Sequence, residues 1–138
     1  MKHRPLGRRI VRRVTLSYTS ATTAGLTHDI TVFVVPSKTT IHTVIADTTT
    51  QWAGTAGTIL LSVGTSAGAA DLVAEHDVET ATVVNQGIVV PGGNPTSWTG
   101  TTTITARVRS TSGNVGDGTD TLLSGGATDL YIVTEELG

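Results

Sequence analysis

The sequence predicts an all-β fold: a single β-sandwich of jelly-roll-like type with about eight strands, one short helix and an extended N-terminal arm. Three observations carry that expectation. About a fifth of the residues are Thr, 16 are Gly and only 14% are charged, a composition that suits pleated strands and tight turns better than helices. Apolar and polar residues alternate with period two in several short runs, as half-buried strands require. Turn-rich connections join those runs, and no long helical segments alternate with them as a βαβ fold demands.

The length of 138 residues bounds the chain to one domain, able to bury roughly two-thirds of its extended surface. Cysteine is absent, which excludes a disulfide framework and a thiolate metal site. No apolar run is long enough to span a bilayer, and the basic start is not followed by the apolar stretch of a secretory signal. A soluble, unprocessed chain without membrane association is therefore expected.

The net charge of -2 conceals a dipolar layout. Lys2, Arg4, Arg8, Arg9, Arg12 and Arg13 give residues 1–13 a charge of +6 without an acid; the other three bases and all eleven acids give residues 14–138 a charge of -8. The expected division is a basic arm over residues 1–13 and a sandwich domain over residues 14–138. Ordering about thirteen residues costs on the order of 15–25 kcal/mol, whereas exposed ion pairs return only about 0–1 kcal/mol each. An ordered arm therefore also needs apolar contacts, from Pro5, Leu6, Ile10 and Val11, and a partner to make them with. The expected partner-binding residues are Lys2, Arg4, Leu6, Arg8, Arg9, Ile10, Arg12 and Arg13.

The first strand follows from Val14, Leu16 and Tyr18 alternating with Thr15, Ser17 and Thr19. Continued backwards, that register turns Arg12 inward, and a buried unpaired guanidinium is costly, so the sheet is expected to begin near Arg13 or Val14. Residues 29–35 end in Val32, Phe33, Val34 and Val35 before Pro36, which predicts a central strand covered on both faces and then stopped. Further strands are expected at residues 40–47, 57–64, 78–84, 87–90, 101–110 and 128–134. Within the seventh, Ile104, Ala106 and Val108 face inward, while Arg107 and Arg109 face out beside Thr105 on a surface that is wet or paired with acids. Residues 69–76 contain good helix formers and neither glycine nor proline, which predicts one or two helical turns. Residues 91–95 and 112–118 are turn clusters.

Gly64-Thr65-Ser66-Ala67-Gly68 matches the G-x-S-x-G pattern of a nucleophile elbow. That chemistry needs an acid and then a histidine further along, yet the last histidine, His76, follows Ser66 by only ten residues. An HGGG-type oxyanion loop is also missing. A glycine-bounded turn is expected there, with no catalytic residue and no enzymatic activity. His3, His28, His42 and His76 stand singly without a metal-ligand spacing, so neither metal nor cofactor is expected. Asp71, Glu75 and Glu79 would form a carboxylate stripe on the expected helix, solvated or contacting the arm. Gly113, Gly116 and Gly118 with Asp117 and Asp120 lack the spaced carboxylates of an EF-hand and read as a hairpin tip. Trp52 and Trp98 share the pattern Trp-x-Gly, which suits either an exposed platform for sugar rings or a plug at a sandwich end or oligomer contact. The arm has cations for phosphates but no aromatic residue to stack on bases, so a protein surface fits it better than nucleic acid.

The run from Leu60 to Ala74, followed by Asp77 and Val78, resembles the small all-β virion proteins of tailed bacteriophages. In those proteins a strand ending in Gly-Thr leads into a short Ala/Asp/Leu helix before the chain returns to the sheet. The strand before Pro36 and the closing run at residues 126–133 are similar too, and the likeness spans most of residues 14–134. It implies a capsid decoration (cement) protein: a non-enzymatic virion component, made in the host cytoplasm, commonly a homotrimer, that sits on the outside of the head and braces adjacent capsomers. The arm would then grip acidic patches of the major capsid protein or of a neighbouring subunit through Arg4, Arg8, Arg9, Arg12 and Arg13. Two other functions stay open: a small jelly-roll shell protein whose arm neutralises packaged nucleic acid, and a glycan-binding module of a tail or fibre using Trp52 or Trp98.

Overall fold

A computed structural model of the chain describes residues 9–54, 57–79, 84–86, 96–97 and 100–136. They form nine strands: β1 (Arg9–Ser17), β2 (Thr27–Val35), β3 (Thr39–Gly54), β4 (Ile59–Gly64), β5 (Val73–Asp77), β6 (Val84–Gln86), β7 (Thr96–Ser97), β8 (Thr102–Ser110) and β9 (Leu123–Glu136). A five-stranded sheet has the order β1-β9-β3-β6, with β7 also paired to β3, and a four-stranded sheet has the order β2-β8-β4-β5. Every ladder is antiparallel. The all-β sandwich read from composition and alternation is the fold that forms.

Period-two patterning places the core. Ile59, Leu61 and Val63 of β4, Ile104, Ala106 and Val108 of β8, and Leu130 and Ile132 of β9 are all buried between the sheets. At one end Trp52 plugs the core at 1% exposure, its Nε1–H donating to Thr128 Oγ1 at 2.9 Å, while Thr128 also bonds Thr48 Oγ1 at 3.0 Å. All three polar groups are buried and each has a partner, as an interior requires. Gly126 makes room for the plug: its φ is +134°, and a Cβ there would stand 2.5 Å from the indole ring.

Several elements differ from expectation. The first strand begins at Arg9 rather than near Arg13, because β9 runs on to Glu136 and pairs with it as far as Arg9. Arg12 does turn towards the opposite sheet, but at the open side of the sandwich, where it stays exposed and lies over the Phe33 ring with 4.6 Å between Cζ and the ring centroid. A guanidinium on an aromatic face keeps its charge at the water boundary, so burial is avoided without ending the strand. The strand ending at Val35 is an edge strand, not a central one. Its apolar run comes from a register shift between Thr31 and Phe33, which lets Val32 and Phe33 both pack on the core while Val34 is left 46% exposed.

Residues 69–76 are not helical. Gly68 and Ala70 have φ of +75° and +53°, which stops a helix before it can start, and the chain enters β5 at Val73 with Leu72 and Val73 buried. Packing two apolar side chains into the core outweighs helix propensity. Of the strand expected at 78–84, Val78 and Glu79 follow the end of β5 and Val84 opens β6; residues 80–83, the strand expected at 87–90 and the 91–95 turn cluster lie outside the described residues. The 112–118 tip folds back onto the connection after β1: the Val115 amide donates to the Gly25 carbonyl at 2.8 Å and the Gly118 amide to the Thr22 carbonyl at 2.8 Å. Among the described residues no helix is long and apolar enough to cross a membrane.

Candidate interaction surface

Chemistry-bearing side chains gather on strand faces and edges. On the outer face of the four-stranded sheet the Arg107 guanidinium takes Asp29 in a fork, Nε to Oδ1 at 2.8 Å and Nη2 to Oδ2 at 3.0 Å. Two residues along the same face, Arg109 takes Glu75 with bonds of 3.0 and 2.7 Å. The Arg107 hydrogen bond holds the Asp29 carboxyl below the usual carboxylate range, and Arg109 does the same for Glu75. These two arginines are spoken for, in keeping with the alternation in β8 that places them on a face that is wet or paired with acids.

The cations of β1 are less committed. Arg9 is two-thirds exposed, with its Nε 3.8 Å from Glu135 Oε1; the other oxygen of Glu135 lies 3.1 Å from His42 Nε2. Arg12 rests on Phe33, and Arg13 is exposed with no acidic partner among the described residues. Arg9, Val11, Arg13 and Thr15 occupy one face of β1 opposite Glu135, Val133, Tyr131 and Asp129 of β9. Val11 is 63% exposed, and Thr15 closes the row by donating to Asp129 at 2.6 Å. The result is an apolar centre of Val11, Val133 and Tyr131 with charge at its rim, the usual anatomy of a protein contact. The sequence suggests Val11 only as an apolar residue of the arm; its place between Arg9 and Arg13 in a period-two register is the signal that identifies this face.

Of the residues singled out from sequence, Arg9, Ile10, Arg12 and Arg13 therefore sit together on an ordinary strand. Lys2, Arg4, Leu6 and Arg8 lie outside the described residues, as does Trp98. Trp52 offers no platform for a sugar ring or for an oligomer contact, because its indole is buried; the plug alternative holds for this residue. The Gly64–Gly68 segment is a turn, with the Ala69 amide donating to the Ser66 carbonyl at 3.1 Å and the Thr65 amide and hydroxyl both donating to Asp71. His76 is tied to its own strand, Nδ1–H donating to the Ala74 carbonyl at 2.9 Å. The carboxylate stripe expected at Asp71, Glu75 and Glu79 is dispersed among Thr65, Arg109 and the Ile59 amide. Among the described residues no three His, Cys, Asp or Glu side chains gather as metal ligands.

The sequence matches no protein-family model and no curated protein. Among solved structures it is similar to a chain of the "Cyanophage Pam1 capsid asymmetric unit", with 18% identity and a TM-score of 0.61 over 99% of this chain and 90% of that chain. At that identity the likeness is one of fold.

Proposed function

We propose that this chain is a structural protein of a phage head, a decoration or cement protein that binds the outside of the capsid and reinforces joints between capsomers. The observation that carries this is the end-to-end correspondence of fold with a chain of a phage capsid asymmetric unit, covering 99% of the residues. The strand ending at Gly64-Thr65 agrees with the resemblance to small phage virion proteins, while the short helix of that pattern is replaced here by a turn and β5. No chemistry of bond making is asked of the molecule. Its work is mechanical: interface added across a joint resists the pressure that would open it.

The basic flank supplies the grip. Eight residues, Lys2, Arg4 and Arg8 among them, precede β1. Fully extended they reach about 26–29 Å from the sandwich, far enough to touch an acidic patch on the major capsid protein or on an adjacent subunit. Homo-oligomerisation, with a trimer as the favoured state, would multiply a weak single grip into avid binding.

Removing residues 2–8 spares every strand described above, whereas removing residues 2–12 would also delete part of β1. Heads assembled without this protein, mixed with the shortened chain and sedimented, should lose most of the bound protein while its circular dichroism stays that of the full chain. Undiminished co-sedimentation would overturn the gripping role. Filter binding to nucleic acid that is tight and falls steeply with salt would instead support a shell protein whose flank neutralises the genome.

A further inference from the structure

We propose that copies of this chain associate side by side and heterologously, the cationic β1 edge of one copy seating against the acidic β5 edge of the next. Among the described residues β1 ends the five-stranded sheet and β5 ends the four-stranded sheet. Arg12 of β1 lies over Phe33 of β2, which puts those two strands on one side of the sandwich. The sheet orders then carry β5 and β6 to the opposite side, and β3 accordingly packs over β4 and β5.

The two sides differ in charge. β1 carries Arg9, Arg12 and Arg13, all exposed, and no acid, with Glu135 of β9 partly compensating Arg9. The β5 side carries Asp71, Glu75, Asp77 and Glu79, with Arg109 compensating Glu75. Asp71 is held by the Thr65 amide and hydroxyl, and Glu79 by the Ile59 amide. Neutral donors satisfy a carboxylate's lone pairs and leave its negative charge in place. The sandwich is therefore polarised across its width.

That polarity selects the mode of contact. An edge strand offers unpaired backbone groups to any other edge, but two β1 edges would set guanidinium against guanidinium and two β5 edges carboxylate against carboxylate. Like-charge juxtaposition suppresses both of these two-fold pairings, and β1 against β5 is the attractive combination. Exposed Val11, between Arg9 and Arg13, gives the basic edge an apolar centre to bury. A contact of this head-to-tail kind generates a ring when the rotation from copy to copy closes.

The isolated protein is enough for the test, which makes this inference separable from capsid binding through residues 2–8. In sedimentation velocity at low salt the full chain should self-associate. Association should weaken roughly tenfold or more near 1 M salt, where the screening length falls to about 3 Å. Arg13→Glu on β1 and Ala74→Arg at an exposed position of β5 should each weaken it by about tenfold or more. Both substitutions in one chain should weaken it further, because Arg9 and Arg12 still leave β1 basic and the acids still surround β5, whereas an equimolar mixture of the two single variants should associate through the intact β1 of one and the intact β5 of the other. Circular dichroism and urea midpoints close to those of the unmodified chain establish that losses are not unfolding. A monomeric unmodified chain, salt-independent association, single variants that associate undiminished, or a mixture of folded single variants that associates no better than either alone would each overturn the proposal.

Discussion

Arg107 and Arg109 stand two residues apart on one strand face, and each clamps a carboxylate of the same sheet, Asp29 on the adjacent β2 and Glu75 on β5 across the intervening β4. Because the arginine hydrogen bonds lower the folded-state values of Asp29 and Glu75 below the ordinary 3.8 and 4.5, both groups favour the fold above those ordinary values. Their contribution is lost as pH falls through the depressed values. Urea midpoints should therefore be flat through neutrality and drop below about pH 4, and Arg107→Gln should shrink that drop. The side chains of the Asp29 pair are about one-third exposed, so its share is about 1 kcal/mol or less. Trp52 is a different kind of residue: Trp52→Phe keeps the plug but leaves Thr128 short of a donor, and should cost about 1–3 kcal/mol in urea unfolding. Gly126→Ala should destabilise through both its φ and its contact with the indole. The outward placement of Arg107 and Arg109 was legible in period-two alternation, but their acidic partners were not. Asp29 and Glu75 are 78 and 34 residues away in the chain, and only sheet pairing brings them close.

At the level of elements, β9 lies between β1 and β3, and among the described residues β1 has a partner on one side only. Amides of β9 between Leu130 and Thr134 should exchange with solvent more slowly than those of β1 between Ile10 and Val14, and Phe33→Ala should widen the gap by removing the surface under Arg12. Equal protection in the two strands would contradict β1 being an edge. The same elements show where local pattern misleads. Four apolar residues before Pro36 read as a strand covered on both faces, yet they encode a shift in register at an edge. Residues 69–76 have the composition of a helix, yet two left-handed backbone positions and the burial of Leu72 and Val73 make them a turn and a strand. Helix propensity is worth only tenths of a kcal/mol per residue, while burying a Leu or Val is worth about 1.5–3 kcal/mol, so burial prevails here.

For the whole molecule the long-range pairing of β1 with β9 is decisive, since the strand nearest the start of the chain is completed by the last. A chain ending at Leu122 should fail to fold, because β1 and β3 would both lose the strand between them, and circular dichroism would show it. Removing residues 2–8 should leave the fold untouched. A topology built on such distant contacts also predicts refolding on the slow scale of all-β domains, about milliseconds to seconds, which stopped-flow fluorescence of Trp52 would record. The charge asymmetry seen in the sequence as basic start and acidic body becomes, in three dimensions, a difference between two sides of one sandwich.

By itself the sequence determined the fold class, the inward faces of β4, β8 and β9, and the turn at Gly64–Gly68, because period-two alternation and glycine punctuation act over a few residues. Tertiary structure alone decided that the cations from Arg9 to Arg13 belong to a paired edge strand, that Trp52 is a plug, and that the acids around β5 line the opposite edge. Each of those outcomes depends on which distant strand becomes a neighbour, and that choice is made by packing the whole core at once, beyond the reach of any local pattern.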